Sequence, residues 1–515
     1  MSAERLSAKN MFRNTVLFGS AFVLMLASCL MTTLNAAYDE TAACTIFAAN
    51  VVLNIAIIFD LCSNIRRDFP MLIFTMAFDL LLLGRVYIVF FRDYSDVLSA
   101  LEADNFRNLF QALMIVTVAL LAVYTAYKLS APLFYRREKS IREKGVKAIH
   151  SGPLVPIIRQ ISVFVLFFSS IAFFYVMFQT ILYVFQHGYL ASYIKTAEKS
   201  VPSVINRMSM FFAPSFAVFL ATMPNRKQMR FPMILYCVYM LTSLFTGRRN
   251  IFVCEALMIV IYFVLRDSLL TKSQRFLTKK RIVWVVVGAI VILYALELVA
   301  QFRAGNSVKG QTPLSLLENF IYSQGASFRV IIQTVNCWDR FDHRTTYQFL
   351  YYPFELYSHN NALLGGMFGL APINEAQNLK FVSTTHNFAH VITFMVDPWR
   401  YLSGGGFGTS YVAEAYVAYG LGGVVVLSAG IGIVFRLFSS MLTRSWVVLA
   451  FCLIAVKEFV YIPRNFAFGW ITNVFSLTYL CYFMAIYFAA LLLAQLGSHI
   501  RKARAFYASE TEEKA

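Results

Sequence analysis

Charged residues are scarce in this sequence, and acidic residues are scarcer than basic ones. Of the 515 residues only 14% are charged, with 27 Asp and Glu against 45 Lys and Arg. Hydrophobic residues make up 59% and aromatic residues 16%, and the mean hydropathy is +0.62. This composition excludes a predominantly soluble protein and is typical of an all-helical bundle embedded in a lipid bilayer.

Motifs that would indicate other functions are missing as well. The eight cysteines include no pair with the C-x-x-C spacing of a metal site. The sequence has no Asp-x-Asp motif, which metal-dependent enzymes with nucleotide donors use, and no basic and aromatic stretch that resembles a nucleic-acid module. The net charge of +18 is dispersed over short loops, as expected beside anionic lipid headgroups. We therefore expect no metal, no cofactor and no nucleic-acid partner.

Apolar runs divide the chain into about twelve membrane-spanning helices. Crossing a bilayer takes roughly 20 apolar residues, and Lys and Arg concentrate in the cytoplasmic loops. If both termini are cytoplasmic, the basic clusters lie on the cytoplasmic side of this topology, apart from a few arginines considered below. The predicted spans end near residues 36, 63, 91, 129, 185, 223, 246, 265, 300, 435, 462 and 496.

One long segment, residues 303–405, separates the ninth span from the tenth on the periplasmic side. Its stretches 319–335, 347–357 and 387–396 have apolar faces, so we predict short helices at the membrane interface that cap a site. Cys44 and Cys337 share this side, either as a disulfide or as two thiols. The predicted organisation is spans one to nine in 1–302, the capping segment in 303–405, spans ten to twelve in 406–497, and a cytoplasmic tail in 498–515.

Four arginines at the predicted periplasmic level oppose the charge bias. Arg248 and Arg249 occupy the turn between the seventh and eighth spans, Arg303 follows the ninth span, and Arg464 follows the eleventh. A guanidinium group donates two parallel, charge-assisted hydrogen bonds to a phosphate, so we predict that these four side chains surround one anionic site. The alternative is that they bind lipid headgroups or cap backbone carbonyls.

Two residues are candidates for a general base. Glu414 lies one turn inside the tenth span, where a carboxylate is costly unless it is functional or forms a structural salt bridge to one of the arginines. His386 lies in FVSTTHNFAH, and an imidazole can exchange a proton near neutral pH. An exposed or packing role is the alternative. His390 is predicted to share its helix face, but without a third ligand we reject a zinc site.

Further charged residues fall inside the predicted spans, where facing lipid would be costly. Lys457 and Glu458 lie one turn below Arg464, and we predict that they line the same cavity as that arginine. Asp79 and Arg85 are six residues apart and do not share a helix face. The alternative use of such residues is a proton or ion path through a transporter.

Five short motifs resemble the O-antigen polysaccharide polymerases, Wzy, which are oligosaccharide repeat-unit polymerases. They follow the order of that family between Thr242 and Trp470. In chain order they are TSLFTGRRNIF, LVAQFRAGNS, NFIYSQGASFRVI, GTSYVAEAYVAYGLGG and VYIPRNFAFGW.

The resemblance implies a metal-independent, GT-C-like glycosyltransferase of the bacterial inner membrane whose active site faces the periplasm. Such enzymes transfer a growing glycan from one undecaprenyl diphosphate to the terminal sugar of a second lipid-linked repeat unit. The implied partners are these lipid-linked oligosaccharides, membrane lipids, a chain-length regulator and a flippase. The catalytic candidates are then Glu414, His386 and Arg249, and the candidates for binding diphosphate and substrate are Arg248, Arg303, Arg464, Gln324 and Tyr416.

Two other functions remain as alternatives at this point. An O-antigen ligase uses the same kind of donor, but its loss leaves polymer on the carrier, whereas loss of a polymerase leaves single repeat units. A transporter or flippase of lipid-linked sugar requires balanced halves, and the single long segment 303–405 argues against it. The GRR and AEAY segments favour the polymerase.

The predicted topology can be tested with reporter fusions. A reporter at Lys144 should be cytoplasmic and one at Gly325 periplasmic, because an odd number of predicted spans separates them. Fusions with alkaline phosphatase and green fluorescent protein give opposite signals on the two sides. Finding both positions on one side of the membrane would contradict the topology.

Overall fold

A computed structural model describes residues 2–92, 96–134, 152–187, 201–246, 249–270 and 312–513, together with parts of 275–295. These residues form helices and turns and contain no strand, which confirms the all-helical prediction. Ten helical segments among them are long and apolar enough to cross a membrane. They are Met11–Leu34, Ala36–Ser63, Ile65–Arg92, Phe106–Phe134, Val155–Gln186, Ser203–Ala221, Arg226–Thr246, Tyr411–Ser439, Trp446–Arg464 and Gly469–His499.

The helices are numbered here in chain order. The first half contains α1 Ser2–Leu34, α2 Asp39–Ser63, α3 Ile65–Phe78, α4 Gly84–Arg92, α5 Val97–Leu101, α6 Phe106–Leu129, α7 Val155–His187, α8 Ser203–Ser209, α9 Phe212–Ala221, α10 Arg226–Ser243 and α11 Arg249–Leu269. The second half contains α12 Pro313–Gln324, α13 Phe328–Asn336, α14 Gln348–Asn360, α15 Ala362–Phe368, α16 Leu379–Val382, α17 Phe388–Val396, α18 Pro398–Leu402, α19 Tyr411–Ser439, α20 Trp446–Tyr461, α21 Gly469–Val474 and α22 Leu477–Glu513.

The predicted count of twelve spans differs from these ten in two places. The eighth predicted span corresponds to α11, a helix of 21 residues that carries the charged residues Glu255, Arg266 and Asp267. It pairs with α10 as the predicted hairpin. The ninth predicted span, 282–300, falls largely outside the described residues. A count of twelve therefore stays a prediction.

The third span begins close to the second and is interrupted in its middle. Its helix begins at Ile65, two residues after the predicted end of the second span, so that Arg66 and Arg67 belong to its first turn. Residues Asp79–Leu83 form a π-helical segment between α3 and α4. Such a segment adds a residue to one turn, and it is frequent at functional sites.

The centre of the bundle is the close pair α6 and α19. A Cβ atom added at Gly432 would clash with the backbone carbonyl oxygen of Val123, so the two helix backbones touch at this glycine. Close to this contact, the buried carboxylate of Asp68 accepts a hydrogen bond from the Tyr127 hydroxyl at 2.7 Å. The neighbouring Arg67 also pairs with Asp68, at 2.6 Å. One carboxylate thus connects α3 with α6.

From residue 312 onward, the segment predicted to cap a site contains short helices, as expected. α12 packs along α4, and α13 packs against α6 and α19. The approach to α4 depends on two glycines: a Cβ at Gly84 would lie 2.9 Å from the carbonyl oxygen of Ile321, and one at Gly325 would clash with the backbone of Arg85. The Gly325–Ser327 turn therefore lies directly on the π-helical segment.

α19 is interrupted two turns below its start. Tyr419 has non-helical backbone angles, and Gly420 adopts φ 60° and ψ −154°, a conformation that is open to glycine alone. The glycine-rich run after AEAY therefore breaks the helix, and α19 consists of two pieces that meet at Gly420.

The α6–α19 contact leads to a matched pair of substitutions. Gly432→Ala forces the two backbones apart, and we expect it to lower the free energy of unfolding by about 1–3 kcal/mol. Gly430→Ala is the control, because a Cβ there would meet no atom within 4 Å. Thermal unfolding in detergent should show a lower Tm for the first variant alone. Equal Tm values for the two variants would contradict the contact.

Candidate active site

The buried carboxylate of Glu414 connects the start of α19 with the loop that follows α20. Its Oε1 accepts a hydrogen bond from the Thr409 hydroxyl at 2.5 Å, and its Oε2 accepts one from the backbone N–H of Ala467 at 2.8 Å. The side chain is completely buried. Within the described residues it forms no salt bridge to an arginine, so the salt bridge considered from the sequence is absent there. Whether Glu414 also acts as a base stays a prediction.

Arg464 is the last residue of the 3-10 turn Ile462–Arg464 and directly precedes the loop that is bound to Glu414 through Ala467. The turn contacts both the π-helical segment and α19. Its guanidinium group forms no hydrogen bond or ion pair with any residue the structure describes. The π-helical segment also contacts the Gly325–Ser327 turn, which follows Gln324. The fold therefore brings Gln324 and Arg464 to one level of the bundle.

The same loop supports the aromatic helix α14. The ring of Phe466 lies 5.9 Å from that of Tyr352, and the ring of Phe468 lies 6.0 Å from that of Phe354. The Tyr357 hydroxyl accepts a hydrogen bond from the backbone N–H of Leu477 at 2.7 Å. α14 is consequently fixed to the loop 465–468 and to the start of α22.

α14 presents Glu355 to His386. The two side chains lie 2.8 Å apart, from Nδ1 to Oε2, and each is about one third exposed (38% and 35%). A carboxylate on Nδ1 selects the tautomer that leaves the Nε2 lone pair free, and it stabilises the imidazolium ion that forms on proton uptake. This pair has the arrangement of a general base with its orienting group.

His390 has a different environment from His386. The prediction that the two share a helix face is wrong, because α17 begins at Phe388 and His386 precedes it. His390 contacts the Tyr401 hydroxyl at 3.0 Å, and burial lowers the pKa of its imidazole while Glu375 partly opposes that shift. No group of three potential metal ligands occurs in the described residues.

A second carboxylate fixes the loop that carries His386. Oε1 of Glu375 accepts hydrogen bonds from the Tyr352 hydroxyl at 2.7 Å and from the Asn387 amide at 2.8 Å. Burial, with the hydrogen bond to Glu375, raises the pKa of Tyr352 well above its usual value, so the hydroxyl remains a donor. His386 is thereby held between α14 and α17.

Lys457 and Glu458, inside the eleventh predicted span, both have polar partners. Lys457 on α20 contacts Glu255 on α11 at 2.8 Å, and the hydroxyl of Tyr236 on α10 donates to the same carboxylate at 2.6 Å. Glu458 instead accepts a hydrogen bond from the Asn473 amide at 3.1 Å. The pairing of Lys457 connects the helix that begins at Arg249 with the helix that leads to Arg464. Whether Lys457 and Glu458 also line a cavity with Arg464 stays a prediction.

The remaining candidates are only partly covered by the structure. Arg248 and Arg303 lie outside the described residues. Arg249 begins α11, but its side chain is not among those described. Tyr416 packs its ring 4.8 Å from that of Trp338. Cys337 is a buried free thiol, which excludes the disulfide with Cys44.

Sequence reasoning missed Glu355, Glu375 and Trp338. Glu355 and His386 are 31 residues apart, on elements whose contact follows from packing, so no spacing in the sequence connects them. The one indication was the composition of YQFLYYPFELY, where a single carboxylate stands among packing aromatic side chains. The Trp338–Tyr416 contact has no sequence pattern of its own.

The fold and this site define a multi-pass membrane protein in which short helices cover a group of polar residues at one end of the bundle. A family model described as O-antigen polysaccharide polymerase Wzy matches residues 16–496, and the chain belongs to that family. Comparisons with curated proteins and with solved structures give no match. Membership makes the chain a polymerase of the glycosyltransferase type that acts on lipid-linked oligosaccharide repeat units.

The hydrogen bonds of Glu414 predict the effect of its neutral analogue. The amide oxygen of Glu414→Gln can still accept the Ala467 N–H, but its NH₂ group then faces the Thr409 hydroxyl, which has to accept instead of donate. Charge-assisted hydrogen bonds are thereby exchanged for weaker neutral ones, at a cost of about 1 kcal/mol, so we expect a slightly lower Tm and a lower activity together. Glu458→Gln is the control, because the one hydrogen-bond partner of its carboxylate among the described residues is the exposed amide of Asn473. Loss of activity at an unchanged Tm would show that Glu414 acts in the chemistry and not in support of the loop.

Proposed function

We propose that this polymerase transfers a growing glycan from undecaprenyl diphosphate to the terminal sugar of a second lipid-linked repeat unit, at the periplasmic face of the inner membrane. The observation that carries the proposal is the Glu355–His386 pair, because it supplies a base at the end of the bundle where the arginines are predicted. Family membership supplies the class of substrate.

His386 is the proposed general base. A hydroxyl of the acceptor sugar attacks the anomeric carbon of the donor glycan, and its proton passes to Nε2 of His386. The new glycosidic bond forms while the bond from the anomeric carbon to the diphosphate oxygen breaks, and the bonding electrons leave with that oxygen. Glu355 stabilises the resulting imidazolium ion, and the proton returns to solvent. The products are the extended glycan on the second lipid and free undecaprenyl diphosphate.

The arginines serve the leaving group in this proposal. Charge develops on the diphosphate as the bond breaks, and guanidinium groups fixed beside it stabilise that charge without reorganisation. Arg464 suits this task because no described residue neutralises it, and it is joined through α20 and Lys457 to the helix that Arg249 begins. Arg248 and Arg303 complete the proposed set, and no metal ion is required for the step.

Exposed aromatic side chains of the capping segment are suited to hold sugars. Tyr351 on α14 is half exposed, its ring lies 6.2 Å from that of Phe468, and Trp399 is 84% exposed on α18. Sugar rings present C–H groups that pack on such faces, while the hydroxyls remain in water. We propose that these rings hold the acceptor sugar opposite His386.

The function can be tested with purified protein in detergent or liposomes. Given undecaprenyl-diphosphate-linked repeat units alone, the protein should produce a ladder of glycans that differ by one unit, and the ladder should persist in a chelator. A protein that moves these lipids across a bilayer without lengthening the glycan would contradict the proposal. So would a protein that extends only lipid A-core.

The assignment of His386 as the general base predicts a specific pattern of activity among variants. His386→Ala should reduce kcat by about 10²–10⁴, the usual contribution of general-base catalysis. Glu355→Gln should reduce kcat less, because the imidazole stays in place but the imidazolium ion loses its counter-charge. His359→Ala is the control: this histidine of α14 contacts only the backbone carbonyl of Ala371 among the described residues. Full activity of His386→Ala would contradict the assignment.

The proposed binding of the donor diphosphate by the arginines predicts a separate effect on activity. Arg464→Lys, Arg249→Lys and Arg303→Lys keep the positive charge but lose the bidentate geometry, so we expect a fall in kcat of about 10²–10³ at unchanged expression. Arg226→Lys, at the opposite end of α10, is the control for arginine replacement. Wild-type rates in all three variants would show that these arginines do not bind the diphosphate.

A further inference from the structure

A second set of arginines lies apart from the four predicted from the sequence, and we call Arg85, Arg329 and Arg400 the arginine triplet. The guanidinium carbons of Arg329 and Arg400 lie 4.1 and 5.2 Å from the centre of the same ring, that of Phe407. The guanidinium carbon of Arg85 lies 4.5 Å from the ring centre of Tyr322. Three cations from α4, α13 and α18 therefore occupy one region.

The backbone around the triplet is closely constrained. Gly325 rests on the backbone of Arg85, and Arg329 follows one turn later on α13. The carbonyl of Arg400 accepts a hydrogen bond from the N–H of Gly405 at 2.9 Å, and the N–H of Phe407 donates to the Thr393 hydroxyl at 3.1 Å. The loop that carries Phe407 is thus tied to α17 and α18, and the arginines keep their positions relative to each other.

Positive charge exceeds negative charge in this region. Glu102 pairs with Arg329 at 2.5 Å, and Asp397 accepts the backbone N–H of Arg400 at 2.9 Å. Arg85 pairs with no carboxylate in the described residues, and its Nε is buried without a hydrogen-bond acceptor there. Burial lowers the pKa of Arg329, and Arg400 and Arg85 lower it further against the effect of Glu102.

Structural cation–π packing accounts for the stacked rings but not for the surplus charge. A guanidinium group that lies flat on an aromatic ring has its face occupied, while its N–H edge stays free to donate. Three guanidinium groups beside two carboxylates, Glu102 and Asp397, leave a surplus of positive charge that a further anion can balance. A diphosphate meets this requirement because its oxygens accept several charge-assisted hydrogen bonds at once.

We propose that the arginine triplet binds the diphosphate of the second lipid-linked substrate. The inference rests on the proposed function, in which two lipid diphosphates meet at one face of the membrane while Arg464 and its predicted partners serve only the donor. The Gly325–Ser327 turn beside the triplet and the Ile462–Arg464 turn both contact the π-helical segment, so the triplet and Arg464 lie at one level on different elements. In the proposal, two diphosphates bind at this level without sharing arginines.

The test counts the lipid diphosphates bound to the full-length chain by native mass spectrometry, with undecaprenyl diphosphate as the probe. Wild-type protein should bind two molecules. Arg400→Gln should weaken the second binding event by about tenfold or more, and the Arg329→Gln/Arg400→Gln variant should bind one. Arg400→Gln leaves the Arg329–Glu102 pair intact, so it remains informative if the double variant unfolds. Arg340→Gln is the control, because its side chain contacts only the carbonyl of Met395 among the described residues.

Each outcome decides the inference. One bound molecule on wild-type protein, or two on the folded double variant, would overturn it. Inorganic diphosphate is tested in parallel. Competition between it and the second lipid supports a diphosphate site at the triplet. If undecaprenyl diphosphate cannot displace inorganic diphosphate from the triplet, the assignment of a lipid ligand is overturned. Failure of the proposed function is separate, since wild-type protein that binds two lipids without lengthening a glycan would leave the triplet assignment standing.

Discussion

The site depends on one buried carboxylate, that of Glu414. A carboxylate enclosed in an apolar bundle is stable only if both oxygens have donors, and here the donors are the Thr409 hydroxyl and the Ala467 N–H. These bonds hold the loop after α20 against the start of α19. The aromatic residues of that loop in turn support α14, which orients Glu355 toward His386. The position of the proposed base therefore follows from a hydrogen bond made in another part of the chain.

Buried carboxylates recur through the bundle as connections between helices. Asp68 joins α3 with α6 at one end, and Glu255 joins α10, α11 and α20 in the middle. Each has at least two partners, which offsets the cost of removing the charge from water. Apolar contacts alone discriminate poorly between neighbouring helix registers in lipid, because lipid tails are as apolar as leucine. The polar contacts thus determine which helix ends lie at the same level of the bundle. They thereby also determine which arginines lie together.

The fold class followed from the sequence because its cause is local. Runs of apolar residues and the distribution of Lys and Arg determine spans one helix at a time, and the hairpin before Arg249 appears where the pattern placed it. The site followed only in part. His386 was found by its chemistry, but Glu355 and the triplet arginines Arg329 and Arg400 meet their partners through packing between distant segments. The π-helical segment and the break at Gly420 are likewise consequences of tertiary contacts, which no single stretch of sequence encodes.

The central claim is that chemistry takes place where the loop after Arg464 meets the capping helices. The most direct measurement is a structure of the protein with a lipid-linked repeat unit bound. The account predicts diphosphate density beside Arg464 and the hairpin turn before α11, with the first sugar directed toward Nε2 of His386. Diphosphate density at the opposite end of the bundle, near Asp68, or a sugar beyond reach of His386, would contradict it.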